Sequence, residues 1–397
     1  MTPLIRSLVA ALAAALLVGA PKAAAAAEPP PETSGAAAIV IDARTGDKLY
    51  GKDPGEERPI ASTTKLMTAL LTLERADLDD VFTAAPYTAS SVESKIDLMP
   101  GERMTVEDLL TALLLESAND AAVTLAKGVA GSPEAFVREM NRRAVALGLR
   151  DTSYANPIGL DDPENYSSAR DLAALARRLL ANREFAHIVD LPMATLKSGD
   201  HKRTIDNRNL LVQEYPFVDG VKTGHTIGAG YVLVGSGAAG GAHVITVTLG
   251  APSEAARDSD TLALLRWGLE QFHRVRVLRP GKVLEEIDVN YRDEDARVGA
   301  ARPVTLVLRR GERAQTVVDA PDELGGPIAK GERVGWVEVS RDGEAVRRVP
   351  LVTLDDVEGA SFARKVVRTL GTLLIVAIVV GIFLAVLVAV RRRRGIA

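Results

Sequence analysis

Ser62 and Lys65 stand three residues apart in the stretch PIASTTKLMTALL, at the head of an apolar helical pattern made by Leu66, Met67, Ala69, Leu70 and Leu73. If a helix starts here, the two side chains are neighbours one turn apart. The positive end of the helix dipole favours an alkoxide on the serine. A lysine whose pKa is lowered by burial or by a nearby cation can take the serine's proton. Taken alone, the pair reads first as a capped helix start, since serine and threonine are ordinary N-cap residues.

Two further patterns bear on that choice. Ser117-Ala118-Asn119 is the only Ser-x-Asn in the chain and falls between two apolar helical runs. A loop there can aim both polar side chains into a cleft, although an ordinary helix stop has the same look. Lys222-Thr223-Gly224 follows the strand pattern FVDGV and precedes AGYVLVGS. On an edge strand it offers a cation, a hydroxyl and a backbone open to close approach; a hairpin turn is the plain alternative. Lys197-Ser198-Gly199 has the same flavour but leads into the polar DHKRT, and reads as a hairpin end.

The elements that must hold these residues follow from periodicity. AAIVIDARTGDKLYG predicts a strand hairpin, and helical periods dominate from Ser62 to about Leu180. TVEDLLTALLLE opens on a capping-box pattern, Thr105 and Asp108. Strands return from Met193, and ARDSDTLALLRWGLEQF closes the region with a helix near Phe272. The fold class is therefore α+β, an antiparallel sheet flanked by helices. From His273 to Asp356 the chain turns to short alternating strands, with Asp342-Gly343 as a tight turn, which predicts a small all-β domain. That domain carries no catalytic constellation and is suited to spacing the first domain from a membrane or to binding a protein partner.

Length and composition bound the rest. The chain has 397 residues, too many for one ordinary core, so residues 36–272 and 273–356 are expected as two folded domains. A net charge of −4 gives no reason to expect nucleic acid. The absence of cysteine removes disulfides, thiolate nucleophiles and Cys-ligated metals. The five histidines lack zinc-hydrolase spacing, so neither metal nor cofactor is expected. Residues 1–27 read as a secretory signal and 28–35 as a linker. After a juxtamembrane linker at 357–368, Thr369–Val390 is uncharged and long enough to span a bilayer, and Arg391–Arg394 follow in the tail 391–397. The positive-inside rule puts that tail in the cytoplasm and both domains outside a cell membrane crossed once.

Ser-x-x-Lys, Ser-x-Asn and Lys-Thr-Gly, in that order, are the signature set of penicillin-binding proteins and serine β-lactamases. From about Ala36 to Asp356 the sequence resembles the low-molecular-mass D-alanyl-D-alanine carboxypeptidases of peptidase family S11. DGVKTGHTIGAGYVLVGSG and NPIGLDDPENYSSARDLAALA carry the likeness beyond the short motifs. The resemblance implies removal of terminal D-alanine from peptidoglycan pentapeptides, covalent inhibition by β-lactams, and a role in peptidoglycan maturation and cell shape. It implies Ser62 as nucleophile, Lys65 as general base and Ser117 as proton relay. Asn119 would bind a substrate amide and hold Lys65. Lys222 would set the local potential, and Thr223 would bind the substrate carboxylate. The backbone N–H groups of Ser62 and His225, beside Gly224, would form the oxyanion hole. Arg257 resembles the arginine that steers that carboxylate, and Arg208 a second arginine near it, with a surface ion pair as the alternative for Arg208.

A class A β-lactamase would need a loop glutamate for deacylation, and Glu164 is not in the expected arrangement. A cross-link endopeptidase shares the chemistry. A silent scaffold has no reason to keep buried charged groups.

Overall fold

The computed structural model describes residues 28–90 and 92–394, except for the side chains of residues 364, 365, 368, 369, 372 and 390–394. The expected signal peptide lies outside the described residues. Contacts divide the chain between Phe272 and His273 into two compact units.

The first unit is built on a five-stranded antiparallel sheet, in the order Lys48–Lys52, Ala37–Asp42, Ala242–Ala251, Gly230–Ala239 and Val218–Thr226. Ala37–Asp42 is buried along its whole length because both faces of the sheet are covered. Ala37, Ile39 and Ile41 point into the main core with Val232, Val247 and the helix Ala169–Leu180. Ala38 and Val40 point the other way, onto Leu264 and Leu265 of the helix Glu254–Glu270.

The helix Lys65–Arg75 is central to the helical layer. Residues Lys65 through Thr72 are all buried, so this helix is enclosed on every side. Around it pack Asn119–Ala130, Pro133–Leu147 and Ala169–Leu180. The helix Pro133–Leu147 follows local chemistry closely. Ser132 caps it, Pro133 opens it, and Gly148 ends it at φ 74°.

Three sequence expectations are adjusted here. The Thr105 hydroxyl does cap the Val106–Thr111 helix, accepting from Asp108 N at 3.3 Å. The Asp108 carboxylate, however, does not reach back to complete a capping box. It accepts from Lys197 N, Ser198 N and Ser198 Oγ, and so holds the tip of the hairpin formed by Met193–Leu196 and Arg203–Asp206. The proline-rich stretch 28–35 is docked rather than free at its ends: Ser34 N and Gly35 N donate to Asp260, and Trp267 Nε1 donates to Glu28 O. The juxtamembrane stretch turns helical at Phe362, and no proline follows to interrupt the helix.

The second unit holds a six-stranded sheet, ordered Ala314–Asp319, Arg333–Arg341, Glu344–Thr353, Ala296–Ala300, Glu285–Val289 and Glu323–Leu324, with a separate pair Phe272–Leu278 and Val304–Arg309. Its core is its own, with Leu278, Ile287, Val298, Leu306, Val337 and Leu351. Asp342 and Gly343 both have positive φ and close the hairpin between Arg333–Arg341 and Glu344–Thr353. The stretch Thr369–Val390 lies within the helix Phe362–Arg394. Only 373–389 of it is described without interruption, and among the described residues no helix is long and apolar enough to cross a membrane.

Candidate active site

A short 3₁₀ turn, Ala61–Thr64, leads into the helix Lys65–Arg75. Ala61 sits in the left-handed region at φ 47°, a strain of about 1–2 kcal/mol for a residue with a Cβ. The turn sets Ser62 at the mouth of the helix, and Lys65 Nζ lies 3.0 Å from Ser62 Oγ. Nζ also donates to Ile158 O at 2.6 Å. Lys65 is fully buried. Burial first, and then the charge of Lys222, hold its pKa well below the ordinary lysine range, against the pull of Glu93 and Asp120. The pair is thus a hydroxyl next to an amine that is easily kept neutral, the condition for general-base activation.

The carbonyl of Ile158 reaches Lys65 because of the loop NPIGL. Asn156 Oδ1 accepts from Ile158 N, Gly159 N and Leu160 N, which curls the loop. Gly159 has φ 89°, and a Cβ there would stand 2.0 Å from Ala61 O. Only glycine lets this loop lie against the serine turn.

The second motif lies where two helices meet. A wide π turn, Ala112–Glu116, ends at Ser117, which is left-handed at φ 65°, and the helix Asn119–Ala130 begins two residues later. Ser117 Oγ is buried and has no hydrogen-bond partner among the described residues. A buried hydroxyl without a partner is costly unless a ligand uses it. Asn119 differs from expectation. Its Nδ2 donates to Glu93 Oε2 at 2.7 Å, and Lys65 is held by Ser62 and Ile158 instead.

The third motif is on the edge strand Val218–Thr226 of the main sheet. Lys222 is buried and donates to Thr223 O at 3.0 Å. Burial, then the charge of Arg257, bring its pKa down to about 7. Gly224 backs onto the serine turn, and a Cβ there would lie 2.9 Å from Ser62 N. His225 follows with its side chain exposed and stacked on Tyr231 at 4.1 Å. Edge strand and serine turn therefore meet backbone to backbone, as an oxyanion site requires.

The two arginines part company. Arg257 is buried in the first turn of Glu254–Glu270, paired with Glu254 at 3.0 Å and Asp258 at 2.8 Å, and its charge is felt at Lys222. Arg208 is exposed and ion-paired with Glu116, while its backbone N–H donates to Leu115 O. The surface ion pair is what the structure shows for it, one residue before Ser117.

Sequence reasoning missed Glu93, Asn156, Gly159 and the Ile158 carbonyl. NPIGL carries a readable turn signal, Asn followed three residues later by Gly. Nothing local marks Glu93.

Fold and site together define a penicillin-binding-protein-like serine peptidase with a β-rich domain after its catalytic domain. Residues 23–253 match the family profile described as D-alanyl-D-alanine carboxypeptidase, and 272–359 match the one described as penicillin-binding protein 5, C-terminal domain. The chain belongs to the D-alanyl-D-alanine carboxypeptidase family S11. It is 32% identical to the D-alanyl-D-alanine carboxypeptidase DacF of Bacillus subtilis, over 84% of this chain and 88% of that one. It is 36% identical to DacD of Escherichia coli, over 82% and 88%. Among solved structures it is similar to penicillin-binding protein 5 of Haemophilus influenzae, at a TM-score of 0.58 and 29% identity, over 83% of this chain and 99% of that one.

Proposed function

We propose that Ser62 is the nucleophile and Lys65 the general base of a serine-type D-alanyl-D-alanine carboxypeptidase. The chain is an enzyme of that class, acts on peptidoglycan stem peptides and binds β-lactams. The observation that carries the residue assignment is the Ser62–Lys65 contact of 3.0 Å, with Lys65 fully buried beside a second lysine.

In the first step Lys65 takes the proton of Ser62 Oγ as Oγ attacks the carbonyl carbon of the penultimate D-alanine. The developing oxyanion is met by backbone N–H groups where Ser62 and the strand from Gly224 to His225 come together. The proton passes to the leaving amine, with Ser117 placed as relay, and free D-alanine departs. Water then attacks the ester, its proton returns by way of Lys65, and Ser62 is restored. Asn119 supplies an amide to the peptide backbone of the substrate. Thr223, Lys222 and, from behind them, Arg257 favour the terminal carboxylate. Arg208 is better placed to brace Glu116 than to touch substrate.

Anchoring is part of the same reading. The uncharged run Thr369–Val390 followed by Arg391–Arg394 supports a single C-terminal membrane anchor with the catalytic domain on the outer side. The β-rich domain would then act as a spacer or contact a protein partner. Resistance of the protein to carbonate extraction, lost when residues 369–397 are deleted, tests the anchor.

The chemistry is tested with fluorescent penicillin and with diacetyl-Lys-D-Ala-D-Ala. Wild type should become covalently labelled and release D-alanine, and Ser62→Ala should do neither. A folded wild type that does neither ends the enzyme reading. Cleavage of cross-linked dimers without free D-alanine would favour an endopeptidase.

A further inference from the structure

One charged side chain beside the site has no part in the mechanism above. Glu93 lies on the loop between the short strands Val81–Thr83 and Arg103–Thr105. Its Oε2 accepts from Asn119 Nδ2 at 2.7 Å and from the Tyr87 hydroxyl, and its Oε1 accepts from Ser90 N at 2.9 Å. The same loop docks on the start of the Asn119–Ala130 helix at three more points. Asn119 N donates to Ser94 O at 2.9 Å, and the Asp120 carboxylate accepts from Ile96 N and Leu98 N.

An ionised carboxylate can only accept hydrogen bonds. The Asn119 amide next to it therefore has one orientation, nitrogen toward Glu93. The amide nitrogen is thus engaged by the loop, by Glu93 and by Tyr87, and its carbonyl oxygen faces away from the carboxylate. The carboxylate polarises the amide, as charged acceptors do. Tyr87 and Ser90 hold Glu93 in turn, so the amide rests on a braced partner.

We infer that Glu93 is a positioning residue for acylation, locking the Asn119 amide with its nitrogen toward the loop and keeping a fixed negative charge at the wall of the site. The inference rests on Ser62 and Lys65 acting as proposed above.

The charge has a direction of effect. Partial burial works against ionisation of Glu93, but the hydrogen bonds from Tyr87, Ser90 and Asn119 prevail and hold its pKa at about 2. It is thus anionic wherever the enzyme is assayed. Three charged groups bear on Lys65: Lys222 disfavours its protonation, while Glu93 and Asp120 favour it. Removing the Glu93 charge lets Lys65 become a free amine at lower pH.

The test is the second-order rate of acylation by fluorescent penicillin across pH 5–9, in the full-length protein. Glu93→Ala loses the lock and should acylate about tenfold or more slowly, the size expected for a charged hydrogen bond. Glu93→Gln keeps a hydrogen-bonding side chain of the same shape and loses only the charge. Its acidic limb should move to lower pH, with a plateau above that of Glu93→Ala. A merely structural role would leave the limb in place. A Glu93→Ala rate within twofold of wild type, or a Glu93→Gln limb that stays or moves up, overturns the inference. Failure of wild type itself to acylate would instead sink the proposed function.

Discussion

Replacing Lys222 by methionine should make the protein more stable and nearly inactive. Lys222 is 1% exposed and titrates at about 7 rather than at the ordinary 10.5. At 1.36 kcal/mol per pKa unit, that difference is a folding cost of about 5 kcal/mol below pH 7. Methionine fills a similar volume and carries no proton. It also deletes the bond from Nζ to Thr223 O, which gives back about 1–2 kcal/mol. The net gain is about 3 kcal/mol, or roughly 6–12 °C in melting temperature for a domain of this size. The sign with pH follows from proton counts. Between pH 7 and 10.5 the unfolded chain holds a proton on Lys222 that the folded chain has released, so wild-type stability rises with pH there. The advantage of Lys222→Met should be complete below pH 7 and shrink by about 1.4 kcal/mol per pH unit above it. Calorimetry of both proteins at pH 6, 7.5 and 9 reads the gap directly. A wild type as stable as the variant at pH 6, or a gap that does not narrow by pH 9, would refute the electrostatic account of this site. Acylation by penicillin should fall about 10²-fold or more in the same variant.

Other perturbations probe neighbouring parts. Gly224→Ala puts a methyl 2.9 Å from Ser62 N and 2.8 Å from Val232 Cγ2; stopped-flow labelling should slow about 10²-fold. Arg257→Gln removes a charge that depresses the Lys222 pKa, so the alkaline limb of acylation should move to higher pH and KM for a D-Ala-D-Ala peptide should rise about tenfold. Glu102 accepts two bonds from Arg203, and these, with the backbone N–H groups of Met99 and Asp200, outweigh the opposing effect of burial to hold its pKa at about 2 against an ordinary 4.5. Its contribution is complete above pH 4.5 and lost as pH falls toward 2, so Glu102→Gln should flatten the acid branch of the stability curve.

What was legible in the sequence divides along a physical line. A reaction that needs a particular side chain leaves that side chain in the sequence. Ser62, Lys65, Ser117 and Lys222 could be singled out because the alkoxide, the amine and the cation of the proposed mechanism each call for few residue types. The strands and helices around them were readable for a similar reason, since the apolar run of Ala37–Asp42 and the caps of Pro133–Leu147 are local demands. A role filled by main chain leaves no such trace. Any residue supplies a carbonyl, so Ile158 gives no sign that it holds Lys65, and only Asn156 and Gly159, which bend its loop, hint at it. Glu93 was hidden for another reason. It meets Asn119 across 26 residues of chain, and a glutamate in a polar loop is indistinguishable from surface until the loop is folded down. The same argument explains Arg208, whose side chain suits either a substrate carboxylate or Glu116; the wide turn Ala112–Glu116 decided for Glu116 by placing it there. Two strained positions point the same way. Among the described residues six non-glycine positions have positive φ, and two of the six, Ala61 and Ser117, adjoin or are motif residues. A fold that bears about 1–2 kcal/mol at each of two such residues, and a larger cost at Lys222, is built around what those residues do rather than around its own stability.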